Sequence, residues 1–329
     1  MSVFDYKQFL PRDSYDKINQ IKTFEPEIIA RELKSRIKPV FKNQLVLVAA
    51  DHNARMITAY NGNNIGLGNR HEYLSRVARM LMSSFVDGIE ATADIIEDLL
   101  ILNSIMKERH NVDMLENKLL IGTVNRGGLK NTSWEMDDMC TCYTVEKLSE
   151  MNLDGVKFMF RIDPDDKDSG KTIRYCSETI NIAEKNKLPI FIESLFVKKT
   201  ENGYALEVST ERLVQTIGVA AALGNTSARK WLEVPLNNDY KAVTDATTCS
   251  ILVVPDEAKT KAIEVVEEYV KERGINTNIR GILLGRNVMY NQEDPYYIAD
   301  AIGISWHQGI DGAQSYGLSL EREAALQQL

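Results

Sequence analysis

A lysine within an apolar strand is the residue of this chain whose setting most suggests chemistry. Lys157 lies in Val156–Ile162 (VKFMFRI), where the residues alternate as in a strand with one buried face. An ammonium group in such a place is costly unless carboxylates pair with it or it loses its proton. Two interpretations follow. The lysine is held by salt bridges inside the protein, or it is an amine of lowered pKa that attacks a carbonyl and forms a Schiff base.

Acidic residues in other apolar runs are the candidate partners of this lysine. The alternation of side chains places Asp51, Glu193 and Glu233 on the same side as Lys157, and it suggests the same for Glu90. So many charges in one interior are difficult to explain by packing. A Schiff-base aldolase needs an amine that attacks a ketone and carboxylates that move protons. We therefore predict Lys157 as the nucleophile, Glu193 and Asp51 as the acid/base pair, and Glu233 as a further catalytic residue.

Polar residues that follow several apolar runs are candidates for holding an anionic substrate. Gly285 and Arg286 follow the last run, where the glycine permits close approach of the backbone and the guanidinium offers a bidentate fork. The predicted substrate- and phosphate-binding residues are Arg286, Gly285, Asn125, Arg126, Arg161, His52 and Arg55.

The elements that must position these residues form one repeating pattern of strand-length apolar runs and helical stretches. The apolar runs are Leu45–Asp51, Gly88–Thr92, Lys118–Asn125, Val156–Ile162, Pro189–Phe196, Trp231–Leu236, Ser250–Pro255 and Gly281–Gly285. Eight such units in about 260 residues predict an α/β fold, a (β/α)8 TIM barrel, whose active site lies at the carboxyl ends of its strands. Neither G-x-G-x-x-G nor G-x-x-x-x-G-K-[ST] occurs to indicate a nucleotide-binding fold.

The domain organisation follows from the position of the first strand. Residues 1–43 are predicted to be an N-terminal helical extension, with helical spacing in Glu25–Ile37 and Pro39 after it. Residues 44–329 are predicted to form the barrel as the catalytic domain.

Composition excludes several classes of partner. The formal net charge of −8 and the scattered lysines and arginines predict binding to neither nucleic acid nor an anionic membrane. No apolar run reaches the roughly 18 residues of a membrane span, and the polar N-terminus predicts a cytoplasmic protein. Of four histidines only His52 falls at a strand end, and the four cysteines form no zinc pattern. We therefore predict no metal and no cofactor.

Beyond these local patterns, the chain resembles known aldolases. LDGVKFMFRIDPDD at Leu153–Asp166 and the fifth run are similar to tagatose bisphosphate aldolase, of the class I superfamily that includes deoxyribose-phosphate aldolase. A closer likeness is to the aldolase-like barrel family linked to inositol catabolism. Its motifs occur in order at Val48–Arg55, Asp87–Leu100, Thr123–Leu129, Leu153–Asp166, Gly224–Pro235 and Arg280–Tyr290.

This resemblance implies a Schiff-base lyase acting on a phosphorylated sugar or sugar acid, with deoxy-keto-phosphogluconate as the substrate in inositol catabolism. Lys157 and Glu193 match the lysine and the acid of the family's fourth and fifth strands. A fourth-strand lysine also carries the imine in transaldolase-like enzymes. The chain departs from the family on the sixth strand, where Trp231 and Glu233 occupy the positions of lysines. The adjacent Lys230 points away by alternation.

Two other functions stay open at this point. A metal-dependent lyase or isomerase would use Asp51, Glu193 and Glu233 as ligands for magnesium or manganese. A barrel that binds sugar phosphates without turnover would explain the sixth-strand departure. In each case we expect a small-molecule sugar phosphate as the ligand and a homo-oligomer as the assembly.

Overall fold

Eight parallel strands close into a barrel, so the predicted TIM barrel is confirmed. The structure is a computed structural model that describes residues 3–326, with side chains described through residue 322. Residues 1–2 and 327–329, the outer ends of the two predicted domains, lie outside the described residues. The strands of the barrel are β1 (Leu45–Ala50), β2 (Gly88–Ala91), β3 (Leu119–Thr123), β4 (Gly155–Ile162), β5 (Ile190–Thr200), β7 (Lys230–Pro235), β8 (Ser250–Val254) and β9 (Ile279–Leu284).

The order of the strands closes the barrel without an open edge. Each strand pairs in parallel with its neighbours along the chain, β9 pairs with β1, and the pairing of β4 with β5 completes the ring. One strand outside the ring was not predicted. β6 (Gly203–Leu206) pairs antiparallel with the carboxyl end of β5, which continues past its predicted end at Phe196 to Thr200. The sixth strand of the barrel is therefore β7.

Helices surround the barrel. Before the first strand lie α1 (Tyr6–Phe9), α2 (Arg12–Phe24) and α3 (Glu27–Ser35). The others are α4 (Arg70–Leu81), α5 (Ala93–His110), α6 (Val145–Glu150), α7 (Ser169–Lys185), α8 (Thr210–Ala222), α9 (Tyr240–Thr244), α10 (Ala262–Val270), α11 (Arg286–Met289), α12 (Pro295–Gln308) and α13 (Gly312–Leu326), with a short 3₁₀ turn at Asn53–Arg55. In the described part of the chain, no helix is both long enough and apolar enough to cross a membrane.

The helices that precede the barrel share its core. Ile18 and Ile21 of α2 and Leu33 of α3 are buried in the same apolar cluster as the outer faces of the strands. His71 of α4 stacks on Tyr15 with ring centroids 4.4 Å apart, and its Nε2 lies 2.7 Å from the carbonyl oxygen of Leu10. Burial of these side chains removes apolar surface from water and thereby holds the helices against the barrel.

Two distinct layers fill the space inside the strands. An apolar plug lies toward the amino ends of the strands and consists of Leu45, Leu47, Leu119, Ile121, Phe191, Leu252 and Leu283. Phe191 of β5 and Trp231 of β7 pair with each other and face inward. The next inward-facing residues along the two strands are Glu193 and Glu233. The barrel interior is thus apolar toward the amino ends of the strands and charged toward their carboxyl ends.

Candidate active site

Four acidic side chains surround the ammonium group of Lys157 near the barrel axis. Its Nζ lies 3.1 Å from a carboxylate oxygen of Glu90, 3.1 Å from one of Glu193 and 3.0 Å from one of Glu233. Asp51 is more distant, at 4.0 Å. Lys157, Glu90 and Glu233 are fully buried, whereas the Glu193 side chain is 16% exposed. The structure therefore brings all four predicted catalytic residues together, and Glu193 is the most exposed to solvent among them.

Register and alternation explain why these side chains converge. Glu193 pairs with Glu233 across β5 and β7, and Lys157 stands beside Thr123 across β3 and β4. Inward-facing residues of adjacent barrel strands lie in layers, so side chains from different strands point at one centre. Glu90 enters the same centre from β2, as its alternation suggested.

The electrostatics of Lys157 differ from the predicted lowered pKa. Burial alone would lower the pKa of the amine, but the carboxylates of Glu193, Glu233 and Glu90 together raise it above its ordinary value. The prediction of a lowered pKa is therefore wrong for the protein without substrate. Lys157 is a salt-bridged ammonium in this state, and any reaction as a nucleophile must begin with transfer of its proton.

Glu193 and Glu233 have pKa values displaced in opposite directions. Burial would raise the pKa of Glu193, but the ion pair and hydrogen bond with Lys157 outweigh it, so the pKa is lowered. Burial raises the pKa of Glu233 well above its ordinary value, and the neighbouring Glu90 raises it further. The charged form is thus favoured for Glu193 and disfavoured for Glu233. Opposite displacement of this kind is how active sites separate a base from an acid.

Asp51 has a different set of contacts from the one predicted. Its carboxylate forms a close ion pair with the guanidinium of Arg126 and accepts a hydrogen bond from Thr123 Oγ1 at 3.0 Å. Arg126 also donates to the backbone oxygen of Asn125 at 2.7 Å. Asp51 is therefore a partner of Arg126 first and a neighbour of Lys157 second. Its predicted role in proton transfer stays a prediction.

The predicted anion-binding residues separate into groups. The side-chain amide of Asn125 donates to Met159 O at 2.7 Å and accepts from Met159 N at 2.8 Å, which fastens the end of β3 to β4. Arg161 donates to Glu135 Oε1 at 2.7 Å, and Arg55 forms a close ion pair with Asp138. Both arginines are buried against the loop that follows β3, so they anchor this loop rather than face the barrel centre.

Gly285 and Arg286 lie where predicted, at the end of the last strand, but their anion-binding groups already hold a carboxylate. Glu257 accepts from the backbone nitrogen of Arg286 at 2.5 Å and from its Nε at 2.8 Å. A Cβ atom on Gly285 would lie 2.4 Å from the same carboxylate, so only glycine permits this approach. Glu257 lies in the loop that precedes α10, which begins at Ala262.

His52 follows β1 at the carboxyl end of the barrel. Burial lowers the pKa of its imidazole to about 4; Arg286 and Lys157 lower it, while Glu257 and Glu193 oppose them. Its Nδ1 is buried and has no hydrogen-bond partner among the described residues. The ring is therefore within electrostatic reach of both the Lys157 cluster and the Arg286 site.

We expect His52 to stay neutral across the physiological range. The imidazole of the unfolded chain binds a proton below about pH 6.5, whereas that of the folded chain does so only near pH 4. Stability from this group is therefore complete above pH 6.5 and is lost as the pH falls toward 4. An NMR titration of the His52 ring should give a midpoint near 4, with His110, which lies on the surface at the end of α5, as the control. A midpoint near 6.5 would contradict the burial of this ring.

The metal-dependent alternative receives no support from the geometry. Among the described residues, no group of three or more His, Cys, Asp or Glu side chains is arranged to hold a metal ion. The ammonium of Lys157 occupies the point at which the three glutamates converge. Cys140 and Cys142 are free thiols on the carboxyl side of β3.

Fold and site together define the class of protein: a (β/α)8 barrel with the aldolase-like fold and a charged centre at the carboxyl ends of its strands. Residues 43–304 match the model of the Cgl0159-like family. The chain belongs to the Cgl0159-like family. The crystal structure of Cgl0159 from Corynebacterium glutamicum is 29% identical, with a TM-score of 0.82 over 92% of this chain and 99% of that chain.

More distant solved structures share the barrel alone. An archaeal fructose-1,6-bisphosphate aldolase with its catalytic lysine covalently bound to the carbinolamine intermediate is 15% identical, with a TM-score of 0.54 over 83% of this chain and 97% of that chain. The fructose-bisphosphate aldolase of Slackia heliotrinireducens is 10% identical, with a TM-score of 0.61 over 98% and 96%. No protein with a curated description matches the chain significantly.

Proposed function

We propose that this protein is a class I aldolase-type lyase in which Lys157 forms an imine with the carbonyl group of a phosphorylated sugar or sugar acid. The observation that carries the proposal is the position of the Lys157 amine between two carboxyl groups whose pKa values are displaced in opposite directions. Glu193 lies 3.1 Å away and Glu233 3.0 Å away. Imine formation needs a base to free the amine and an acid to expel water, and these two residues supply both.

The reaction begins with proton transfer from the ammonium of Lys157 to Glu193. The free amine adds to the substrate carbonyl carbon and gives a carbinolamine. Glu233 donates its proton to the carbinolamine hydroxyl, which leaves as water, and the nitrogen lone pair forms the iminium. A carboxylate then removes the proton of the hydroxyl group beside the scissile bond. The C–C bond breaks to release an aldehyde, and its electron pair moves to the iminium to give an enamine. Protonation of the enamine carbon and hydrolysis release the second product and restore Lys157.

The fold comparisons support this proposal indirectly. The archaeal fructose-1,6-bisphosphate aldolase with the same barrel uses a catalytic lysine that binds the carbinolamine intermediate. Motif resemblance to the inositol-linked aldolase family is the support for deoxy-keto-phosphogluconate as the substrate. Cleavage would then give a three-carbon phosphate and a semialdehyde.

A sugar-phosphate-binding protein without turnover is the second candidate. The observation that favours it is the sixth barrel strand, where Glu233 faces the centre and Lys230 faces away. Lys230 Nζ donates to the carbonyl oxygens of Ala220, Ala221 and Leu223 at 2.7–3.1 Å, at the end of α8. The predicted outward direction of Lys230 is therefore confirmed, and this lysine is not available for an imine.

Borohydride trapping distinguishes the two candidates. We expect incubation with dihydroxyacetone phosphate and reduction to leave a stable adduct on the peptide that contains Lys157, and none on Lys230. Peptide mass mapping identifies the site, and Lys157→Arg is the matched variant that should give no adduct. Wild-type protein that forms no adduct with any ketose phosphate, yet is stabilised by one against unfolding, would favour the binding protein.

A further inference from the structure

We propose that Glu257 is an internal competitor for the anionic end of the substrate, and that its carboxylate must leave Arg286 before a phosphate group can bind there. This inference rests on the proposed function, because it assigns the Gly285–Arg286 site to the phosphate of the same substrate. It adds a role for Glu257, which would set the affinity of this site for phosphate and the conformation of its own loop when phosphate is bound.

The contacts of Glu257 are those that a bound phosphate would make. One carboxylate oxygen accepts from the backbone nitrogen of Arg286, and the other accepts from the Arg286 guanidinium through Nε at 2.8 Å and through Nη2. Arginine binds carboxylate and phosphate in this same forked geometry. Glu257 and a phosphate therefore require the same donors and cannot use them together.

The surroundings of Glu257 permit it to leave. Its side chain is 23% exposed and that of Arg286 is 30% exposed, so the ion pair is partly solvated and has a small net free energy. Glu257 lies in the loop of residues 255–261, which has no regular structure, and Asp256 and residues 258–261 beside it are exposed. Displacement of the carboxylate thus requires no helix to unwind and no apolar core to open.

Two asparagine side chains hold the end of this loop that lies next to α10. They limit the movement to the segment around Glu257. Asn291 Nδ2 donates to the carbonyl oxygen of Thr260 at 2.9 Å, and Asn287 Nδ2 lies 3.4 Å from that of Lys259. Both asparagines are buried next to Arg286. A hinge between these anchors and β8 would swing the Glu257 carboxylate toward solvent while the loop stays attached.

Arg286 follows β9, and His52 follows β1, so both lie at the carboxyl end of the barrel, the end at which the glutamates surround Lys157. The Nδ1 atom of His52 is buried and has no hydrogen-bond partner among the described residues. A phosphate in place of the Glu257 carboxylate would hold the substrate at this end of the barrel. A carboxylate that returns when the product leaves would favour product release.

The test is the affinity of the full-length protein for inorganic phosphate, measured by isothermal titration calorimetry. We expect Glu257→Ala to bind phosphate about tenfold more tightly than the wild type, because removal of one nearby negative charge also frees the donors of Arg286. Glu257→Gln should give a smaller increase. Glu264→Ala is the matched control, since it removes the same charge from α10, where Glu264 pairs with Lys261 at 3.1 Å.

Addition of Arg286→Gln to Glu257→Ala should abolish the gain. Two results would overturn the proposal: a phosphate affinity of Glu257→Ala equal to that of the Glu264→Ala control, or a gain that survives the loss of Arg286. If Glu257→Ala does not fold, Glu257→Gln decides by the same comparison. Phosphate binding is measured without turnover, so its outcome is independent of imine trapping at Lys157.

Discussion

Substitution of Lys157 by Met should destabilise the protein by about 3–5 kcal/mol at neutral pH, the cost typical of removing one partner from a buried ion-pair network. Lys157 is 1% exposed and is the cation that Glu90, Glu193 and Glu233 share. A methionine side chain fills a similar volume but leaves these carboxyl groups without a positive charge. Denaturant titration with circular dichroism measures the change in the free energy of unfolding.

The pH dependence of this loss identifies its origin. Without the lysine, the folded protein holds its glutamates with pKa values above those of the unfolded chain, because burial disfavours their charged forms. The folded state then binds more protons than the unfolded state, so the stability of the Met variant falls as the pH rises. We therefore expect the difference from wild type to be larger at pH 7 than at pH 5.

A second lysine provides the control for this experiment. Lys230 is 2% exposed and donates to three carbonyl oxygens on the outer side of β7, and no carboxylate among the described residues is in hydrogen-bonding contact with it. Lys230→Met should also destabilise the protein, but by an amount that is equal at pH 5 and pH 7. A Lys157→Met loss that is equally independent of pH would show that the central glutamates are not the charged partners of Lys157.

Substitution of Glu233 and Glu193 by Gln should separate catalysis from stability. Burial and the neighbouring Glu90 raise the pKa of Glu233 well above its ordinary value, so its charged form is disfavoured in the folded protein. Glutamine supplies an uncharged group of the same shape, so Glu233→Gln should change stability little. It removes the proton donor for carbinolamine dehydration, and the rate of imine formation should fall by about 10²–10⁴-fold.

The matched variant has a different profile. Glu193 is a carboxylate that pairs with Lys157 at 3.1 Å, so Glu193→Gln removes both the base and half of an ion pair. We expect this variant to lose a similar factor in rate and also to lose stability. The rate of borohydride-trapped adduct formation and the free energy of unfolding are the two measurements. Equal stability of the two variants, or a full rate in Glu233→Gln, would contradict the assignment of Glu233 as the acid.

Much of this molecule could be predicted from local sequence. The eight strands and the direction of Lys157, Glu193 and Glu233 toward one centre follow from alternation, because successive side chains of a strand point to opposite faces. The barrel itself follows from the number and spacing of strands and helices. Even Glu90 was placed by this rule, although nothing in its sequence neighbourhood distinguishes it from a residue of an apolar strand.

Other features depended on the tertiary structure, because charge pairing is decided by loops and by groups distant in sequence. Glu257 reaches Arg286 only through the path of the loop after β8, and Arg55 meets Asp138 only through the loop after β3. The protonation of Lys157 is the sum of burial and of charges from three other strands. Strand alternation determines where a side chain points, but the pKa and the partners of that side chain depend on everything else that points to the same place.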